Sequence, residues 1–342
     1  MKRMILGVMI AAMFCSCTKE PTGTIVEKQS EEGIPVTLAF TSGESNSRSF
    51  FDESSKTEPW EREVNSLNLW CYTSDGDLLK DWQFNTSDLD GGKNPIIFLP
   101  ETAIGKEYTF YAVANYGITA PATAAAMEEI EAPDVSHYNG EFALTGSQSK
   151  RPEGFVMSCK TKLTISAGQV NILSILLKRT VAKIAFRVEI SDDFKKLFPN
   201  GKVFMGTASL SNYPTESYLF YKDGERKGNH GATMTQTPGN QDDGYNYVFY
   251  IHEQQAQTLI HDYLRLKFQY IYDRDGDINT TDDQDYVEKE AYLDGTGEGR
   301  IIRNGYYRVY ANIKDLKRGW IEAQVVVEDW VTTGGTTIFT FE

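Results

Sequence analysis

Along most of the chain, apolar and polar residues alternate over short segments, and glycine, asparagine, aspartate or proline separates one segment from the next. The stretch Ile34–Phe40 sets the type. Ile34, Val36, Leu38 and Phe40 fall on one face at period two, which predicts a strand with one buried side. Strands are predicted likewise at 64–72, 96–99, 108–114, 162–165 and 170–177, and further on at 203–210, 217–221, 245–252, 263–272, 287–293, 306–313 and 321–330. Ser74-Asp75-Gly76-Asp77 carries the Asp-Gly pair of a tight hairpin, whereas the alanine-rich stretch 120–130, with Met127, Glu128 and Glu129, predicts a short helix. Residues 172–188 are nearly all apolar, broken by Lys178, Arg179 and Lys183. Their β-branched content and the lack of flanking caps predict two successive strands rather than one helix. Many short strands with turn signals between them make an all-β chain of two β-sandwich domains in series with few short helices. The N-terminal domain spans 34–177 and the C-terminal domain 178–342.

Composition narrows the function. The 342 residues suffice for two cores, and 18 Phe, 19 Tyr and 5 Trp are too many for a disordered chain. A net charge of −14, with no basic run, repels phosphate backbones and excludes nucleic acid as a partner. Four His and four Cys, scattered along the sequence, leave little material for a metal or thiol enzyme, and no cofactor is expected.

Lys2 and Arg3, an apolar run from Met4 to Phe14, and small residues before a polar stretch together form a secretory signal over 1–16. Phe14-Cys15-Ser16-Cys17 resembles a bacterial lipoprotein box, so cleavage before Cys17 would leave its thiol to take a lipid and hold the precursor on the outer membrane. That cleavage removes Lys2 and Arg3 and deepens the net charge by two, from −14 to −16. Residues 17–33 read as a flexible tether. Cys71 and Cys159 remain, each beside apolar neighbours, and are read as buried unpaired thiols, with one disulfide as the other possibility. After the first strand, residues 41–49 contain no aliphatic residue and a single cation, Arg48, which marks an exposed loop with one basic cleavage position.

Several segments carry a resemblance when taken in order. They are Asn46-Ser47-Arg48-Ser49-Phe50, Trp60-Glu61 with Val64 and Leu67, Phe98-Leu99-Pro100, and Tyr108-Thr109-Phe110-Tyr111-Ala112-Val113-Ala114-Asn115. Leu177-Lys178-Arg179 with Val181-Ala182-Lys183-Ile184 and Arg303-Asn304-Gly305-Tyr306-Tyr307 complete the set, ahead of a strand ending at Trp330. With the lipoprotein signal, this set resembles the fimbrillin family of Bacteroidales, the subunits of type V pili, whose domains are transthyretin-like sandwiches. The resemblance implies export as a lipoprotein, cleavage after an arginine in the loop behind the first strand, and removal of that strand. The opened groove then receives a strand from the next subunit. Here the removed strand carries Ile34, Val36, Leu38 and Phe40, cleavage falls between Arg48 and Ser49, and the lipid sits on Cys17 before processing.

Strand addition draws affinity from backbone bonds and specificity from alternate side chains, and head-to-tail filling that does not close makes filaments. Donor candidates are 321–327, with Ile321, Ala323, Val325 and Val327 alternating, and 338–341, with Phe339 and Phe341 on one face. A plain edge strand is the other reading of the first segment. The expected partners are other fimbrial subunits and a receptor on a host or bacterial surface, with the chain found at the outer membrane and in the fimbrium.

Three rival readings use other residues. Tyr213, Tyr218, Phe220, Tyr221, Tyr245, Tyr247, Phe249 and Tyr250 would stack sugars in a cell-surface glycan-binding lipoprotein, although aromatics at this spacing are mostly core. Asp273, Asp275, Asp277, Asp282, Asp283 and Asp285 invite calcium. Their EF-hand register fails at Ile278 and Gln284, and a solvated acidic hairpin loop is expected. His137, His230, His252 and His261 accompany no nucleophile elbow or zinc helix, and no carboxylate pair stands out, so the chain is not expected to be an enzyme.

Overall fold

The computed structural model describes residues 33–40, 61, 63–89, 94–139, 154–224, 231–239 and 246–313, together with the backbone of two C-terminal strands at 321–329 and 336–341. The described chain is all-β with three short helices, and its strands form four sheets.

The first sandwich sets a three-stranded sheet against a five-stranded one. The small sheet has β1 (Ile34–Phe40) at its centre, between β4 (Ile96–Leu99) and β7 (Asn171–Ile175). The large sheet runs β3 (Leu78–Asn85), β2 (Ser66–Tyr72), β5 (Glu107–Ala114), β6 (Met157–Thr164) and β8 (Lys178–Arg179). Val36, Leu38, Ile97, Leu99, Leu173 and Ile175 from the small sheet share one core with Leu67, Leu69, Phe110 and Ala112 from the large one. The Asp-Gly hairpin between β2 and β3 forms as expected, with Gly76 at φ 89°.

The second sandwich pairs the sheet β12 (Tyr247–Ile251), β9 (Ala182–Ile190), β15 (Gly305–Ile313), β16 (Ile321–Asp329) and β17 (Thr336–Phe341) with the sheet β11 (Ala232–Gln236), β10 (Lys202–Tyr213), β13 (Leu264–Asp273) and β14 (Gln284–Leu293). Phe186 meets Phe268 edge-on across the two sheets, with ring centres 5.0 Å apart. Ile184, Phe186, Phe249, Tyr307 and Val309 face this core, whereas Ala185, Val248, Tyr250 and Tyr306 point the other way and join the core of the first sandwich. The central strands are thus buried on both faces. That is why 172–188 reads as a continuous apolar run, and why it divides into β7, β8 and β9 instead of forming a helix.

The predicted helix in 120–130 is α2 (Ala124–Glu128), capped by the Thr123 hydroxyl, which accepts from the Ala126 amide. With Leu219 and Phe220 it covers the outer face of the large sheet, over Trp70, Tyr72, Tyr111 and Val113. Here the strand expected at 217–221 is corrected: the segment makes only a single bridge, between Tyr218 and Glu131. Leu219 and Phe220 are adjacent and both buried, which a lid over a sheet face permits and an alternating half-buried strand does not. Unpredicted elements are β3, β11, α1 (Thr86–Leu89) and α3 (Asp192–Leu197), the last capped by Ser191 with acidic residues in its first turn.

Candidate functional site

The strand β1 is held on both edges. It runs antiparallel to β4, with Ile34 opposite Leu99 and Val36 opposite Ile97, and parallel to β7, with Leu38 opposite Leu173 and Phe40 opposite Ile175. These rows put an apolar residue beside an apolar residue on the core face. Val36 and Leu38 are fully buried, and Ile34 and Phe40 pack partly buried against the same cluster. Burial of Val36 and Leu38 contributes about 1.5–3 kcal/mol each. Without β1, β4 and β7 would present two unpaired edges above an apolar floor, which is the geometry of a strand-accepting groove.

The chain enters this strand through a close passage. Gly33 has φ 151°, and a Cβ there would lie 2.4 Å from the Leu99 carbonyl oxygen. Gly33→Ala is therefore expected to unseat the N-terminal half of β1 at a cost of about 1–3 kcal/mol. Hydrogen exchange would read this as faster exchange at Val36 and Leu38 with the β5 amides unchanged; equal protection in both proteins would refute it.

At the other end of the chain, β16 pairs antiparallel with β15 and β17 antiparallel with β16, so β17 ends the order of its sheet. The two donor candidates are therefore partners in one ladder, with Ile321 opposite Phe341, Ala323 opposite Phe339 and Val325 opposite Thr337, while Val327 lies opposite Tyr307. The groove strand and the donor strands belong to different sheets. Cys17, Arg48 and Ser49 lie outside the described residues.

Three of the segments that carry the family resemblance converge on a buried polar cluster to which sequence reasoning gave no role. Glu61, fully buried, accepts from Lys183 Nζ at 2.8 Å and from the Tyr250 hydroxyl at 2.7 Å. The Glu61 backbone carbonyl accepts from Arg179 Nε at 2.8 Å, and Arg179 Nη1 donates to Asn304 Oδ1 at 3.0 Å. Lys183 Nζ also lies 5.0 Å from the centre of the Tyr306 ring. Nearby, Asn115, at φ 60°, binds the Asn65 amide and the Glu63 and Phe155 carbonyls, fixing the chain as it leaves Glu61. The cluster ties Glu61 to β8, β9, β12 and β15. The one signal in the sequence was the presence of cations inside an otherwise apolar run.

His252 is buried beside this cluster, its Nδ1 3.4 Å from the Thr180 carbonyl and its Nε2 without a hydrogen-bond partner among the described residues. Burial pushes its pKa below the ordinary 6.5, and neighbouring Glu253, the Thr180 carbonyl and Asp134 oppose this without cancelling it, while Arg303 adds to it. A histidine depressed in the folded state is protonated more readily when unfolded, so stability is full above pH 6.5 and falls as the pH drops from 6.5 toward the folded value. Urea midpoints measured between pH 8 and pH 5 are expected to show this loss in the native chain and a flatter profile in His252→Gln. Identical slopes would assign the acid sensitivity to other groups.

The remaining candidates separate by burial. Of the described aromatics proposed to stack sugars, Phe220, Tyr247, Phe249 and Tyr250 are core residues, and Tyr221 is the one counted among the exposed large apolar residues. At the end of β13 and in the loop that joins it to β14, Asp273, Asp275 and Asp283 bring carboxylate oxygens within 4.8 Å of one another. These groups are engaged by the loop itself: Asp273 accepts from the Gly276 amide and Gln284 Nε2, Asp275 from the Asp277 amide, and Asp283 from the Asp275 amide. Cys71 and Cys159 are free, on the two strands that flank β5, and burial pushes the Cys71 thiol up to about 12. His252 and His261 do not meet; the first is buried and the second lies exposed beside Asp262.

A family model described as fimbrillin-A associated anchor proteins Mfa1 and Mfa2 matches residues 30–333. The chain belongs to this family. Membership gives it a structural role in fimbriae at the cell surface, together with other fimbrial subunits. The same fold appears in the tip fimbrial protein Mfa3 of Porphyromonas gingivalis, at 13% identity over 87% of this chain and 99% of that one, with a TM-score of 0.56. A fimbrilin, FimA, of P. gingivalis W83 is similar at 16% identity over 88% and 99%, with a TM-score of 0.52. A structure from Bacteroides eggerthii described as a candidate cell adhesion protein is similar at 14% identity over 88% and 97%, with a TM-score of 0.57. Comparison with curated proteins gave no match. The Mfa2 family match runs through β1 and through the three segments of the buried cluster.

Proposed function

We propose that this fimbrial subunit is exported as a lipoprotein modified at Cys17, cut between Arg48 and Ser49, and joined to its neighbours by strand exchange. In this reading it is a two-sandwich structural protein without catalytic function, its modules meeting near Lys178. The observation that carries the reading is β1: an uncharged strand with Val36 and Leu38 fully buried, paired along both edges, and followed by a stretch whose one cation is Arg48. A strand held that way is released by cutting the chain behind it, and its groove accepts any strand of matching alternation. Residues 321–327 or 338–341 supply that strand to the next subunit.

The family description favours a second reading, in which the chain is an anchor that keeps Cys17, its lipid and β1. The N-terminus decides between them. Mass spectrometry of sheared surface material is expected to find chains beginning at Ser49 within detergent-resistant oligomers. Chains beginning at lipidated Cys17 and confined to the membrane fraction would replace the first reading with the anchor.

A further inference from the structure

We infer that a pocket between the two sandwiches binds a carboxylate-bearing sugar, with Tyr221 as the stacking platform and Lys178 as the anion partner. The cavity, about 400 Å³, is large enough for one or two sugar rings. Its walls come from the end of the large sheet, through Ser158, Lys160 and Lys178, and from the facing segments that carry Phe220, Tyr221 and Arg303.

What singles out this pocket is how Tyr221 is held. An exposed tyrosine ordinarily turns freely, but here both the ring and its hydroxyl are fixed. The Arg303 guanidinium lies 5.3 Å from the ring centre, and the hydroxyl donates to Asp223 and accepts from Arg300 Nη2. Arg303 is in turn locked by Glu253 at 2.6 Å, by the Ser217 hydroxyl, and by the Leu219 and Tyr218 carbonyls, with 5% of its surface exposed. Tyr221 remains 40% exposed although its ring and its hydroxyl are both held. A preorganised aromatic surface on a pocket wall loses little entropy when a flat apolar face stacks on it, and a pyranose ring presents such a face.

Charge selects within that class. The Arg303 guanidinium is committed to Glu253, and Lys160 is committed to Glu128. Lys178 is exposed and makes no ion pair among the described residues, which leaves an ammonium at the pocket with no carboxylate to answer it. A uronic or sialic acid supplies both the ring face and the carboxylate. The inference does not depend on cleavage or strand exchange, because the described lining residues belong to one chain and lie outside β1 and the donor strands.

The test is calorimetric titration of the soluble full-length mature chain with D-glucuronate, N-acetylneuraminate, D-glucose and an acidic hexapeptide. One of the acidic sugars is expected to bind and glucose to bind at least tenfold more weakly. Lys178→Met should weaken the acidic sugar by about tenfold, the contribution of one charge-assisted hydrogen bond, and abolish its salt dependence. Tyr221→Ala should remove binding, and Tyr221→Phe, which keeps the ring, should retain part of it. Because Lys178 is exposed, its variant tests the assignment even if the Tyr221 variants fold poorly. Equal affinity for glucose and the acids, binding unchanged in Lys178→Met, or binding of the peptide alone would each overturn the proposal.

Discussion

Replacing Arg48 with alanine is expected to leave the chain lipid-anchored and monomeric and to remove it from fimbriae. The expectation is all-or-none because of how β1 is seated. Two ladders hold its backbone, and its inward side chains complete the core of the first sandwich, so the strand does not exchange while it remains part of the chain. An intramolecular strand competes at an effective concentration that no neighbouring subunit matches. Cutting the chain turns that strand into a separate peptide, and a donor that is itself tied to a growing filament then displaces it. Among residues 41–49 Arg48 is the only cation, so no adjacent basic position replaces it for an arginine-directed protease. Immunoblots of unboiled surface extracts would show a ladder for the native chain and a single band for Arg48→Ala. A normal ladder from the variant would end the cleavage reading.

Legibility in the sequence followed the local periodicity. Strands with one buried face, such as Ile34–Phe40 and Leu264–Asp273, could be read directly, because alternation is a property of the segment itself. Ser217 to Tyr221 misled because Leu219 and Phe220 are buried by a sheet face contributed by distant strands, and their own spacing does not record that. Leu78–Asn85 was missed for the opposite reason: it is a largely exposed edge strand, and its partner β2 supplies the order that its own Lys80 and Asp81 do not advertise. The strand β1 was legible from its own alternation, but the sequence carried no sign that it pairs with β4 on one side and β7 on the other. Those contacts span the whole first sandwich. The buried cluster was the least legible. Glu61 is one of 48 acidic residues, and nothing in its neighbours marks it as the partner of a lysine more than a hundred positions away.

The largest stability effect is expected at that pair. Glu61→Ala would leave Lys183, which is 1% exposed, without its carboxylate, and would remove the acceptor of the Tyr250 hydroxyl. Breaking a buried pair by removing one partner costs about 3–5 kcal/mol, because the remaining charge stays desolvated. The double replacement Glu61→Leu with Lys183→Met removes both charges and keeps apolar volume, so it should recover most of the loss. Urea unfolding of the three variants would measure the coupling; a double variant as unstable as Glu61→Ala would assign the cost to lost packing instead. The consequence reaches beyond stability, because Glu61 lies C-terminal to Arg48 in the sequence and its carboxylate is held by Lys183 and the Tyr250 hydroxyl. In a cleaved subunit this attachment would keep the new N-terminal segment on the body of the protein while β1 leaves. Glu61→Ala is thus also expected to speed proteolysis within residues 49–60 of the cleaved chain, and the double variant, which restores stability without the carboxylate, separates that anchoring from global unfolding.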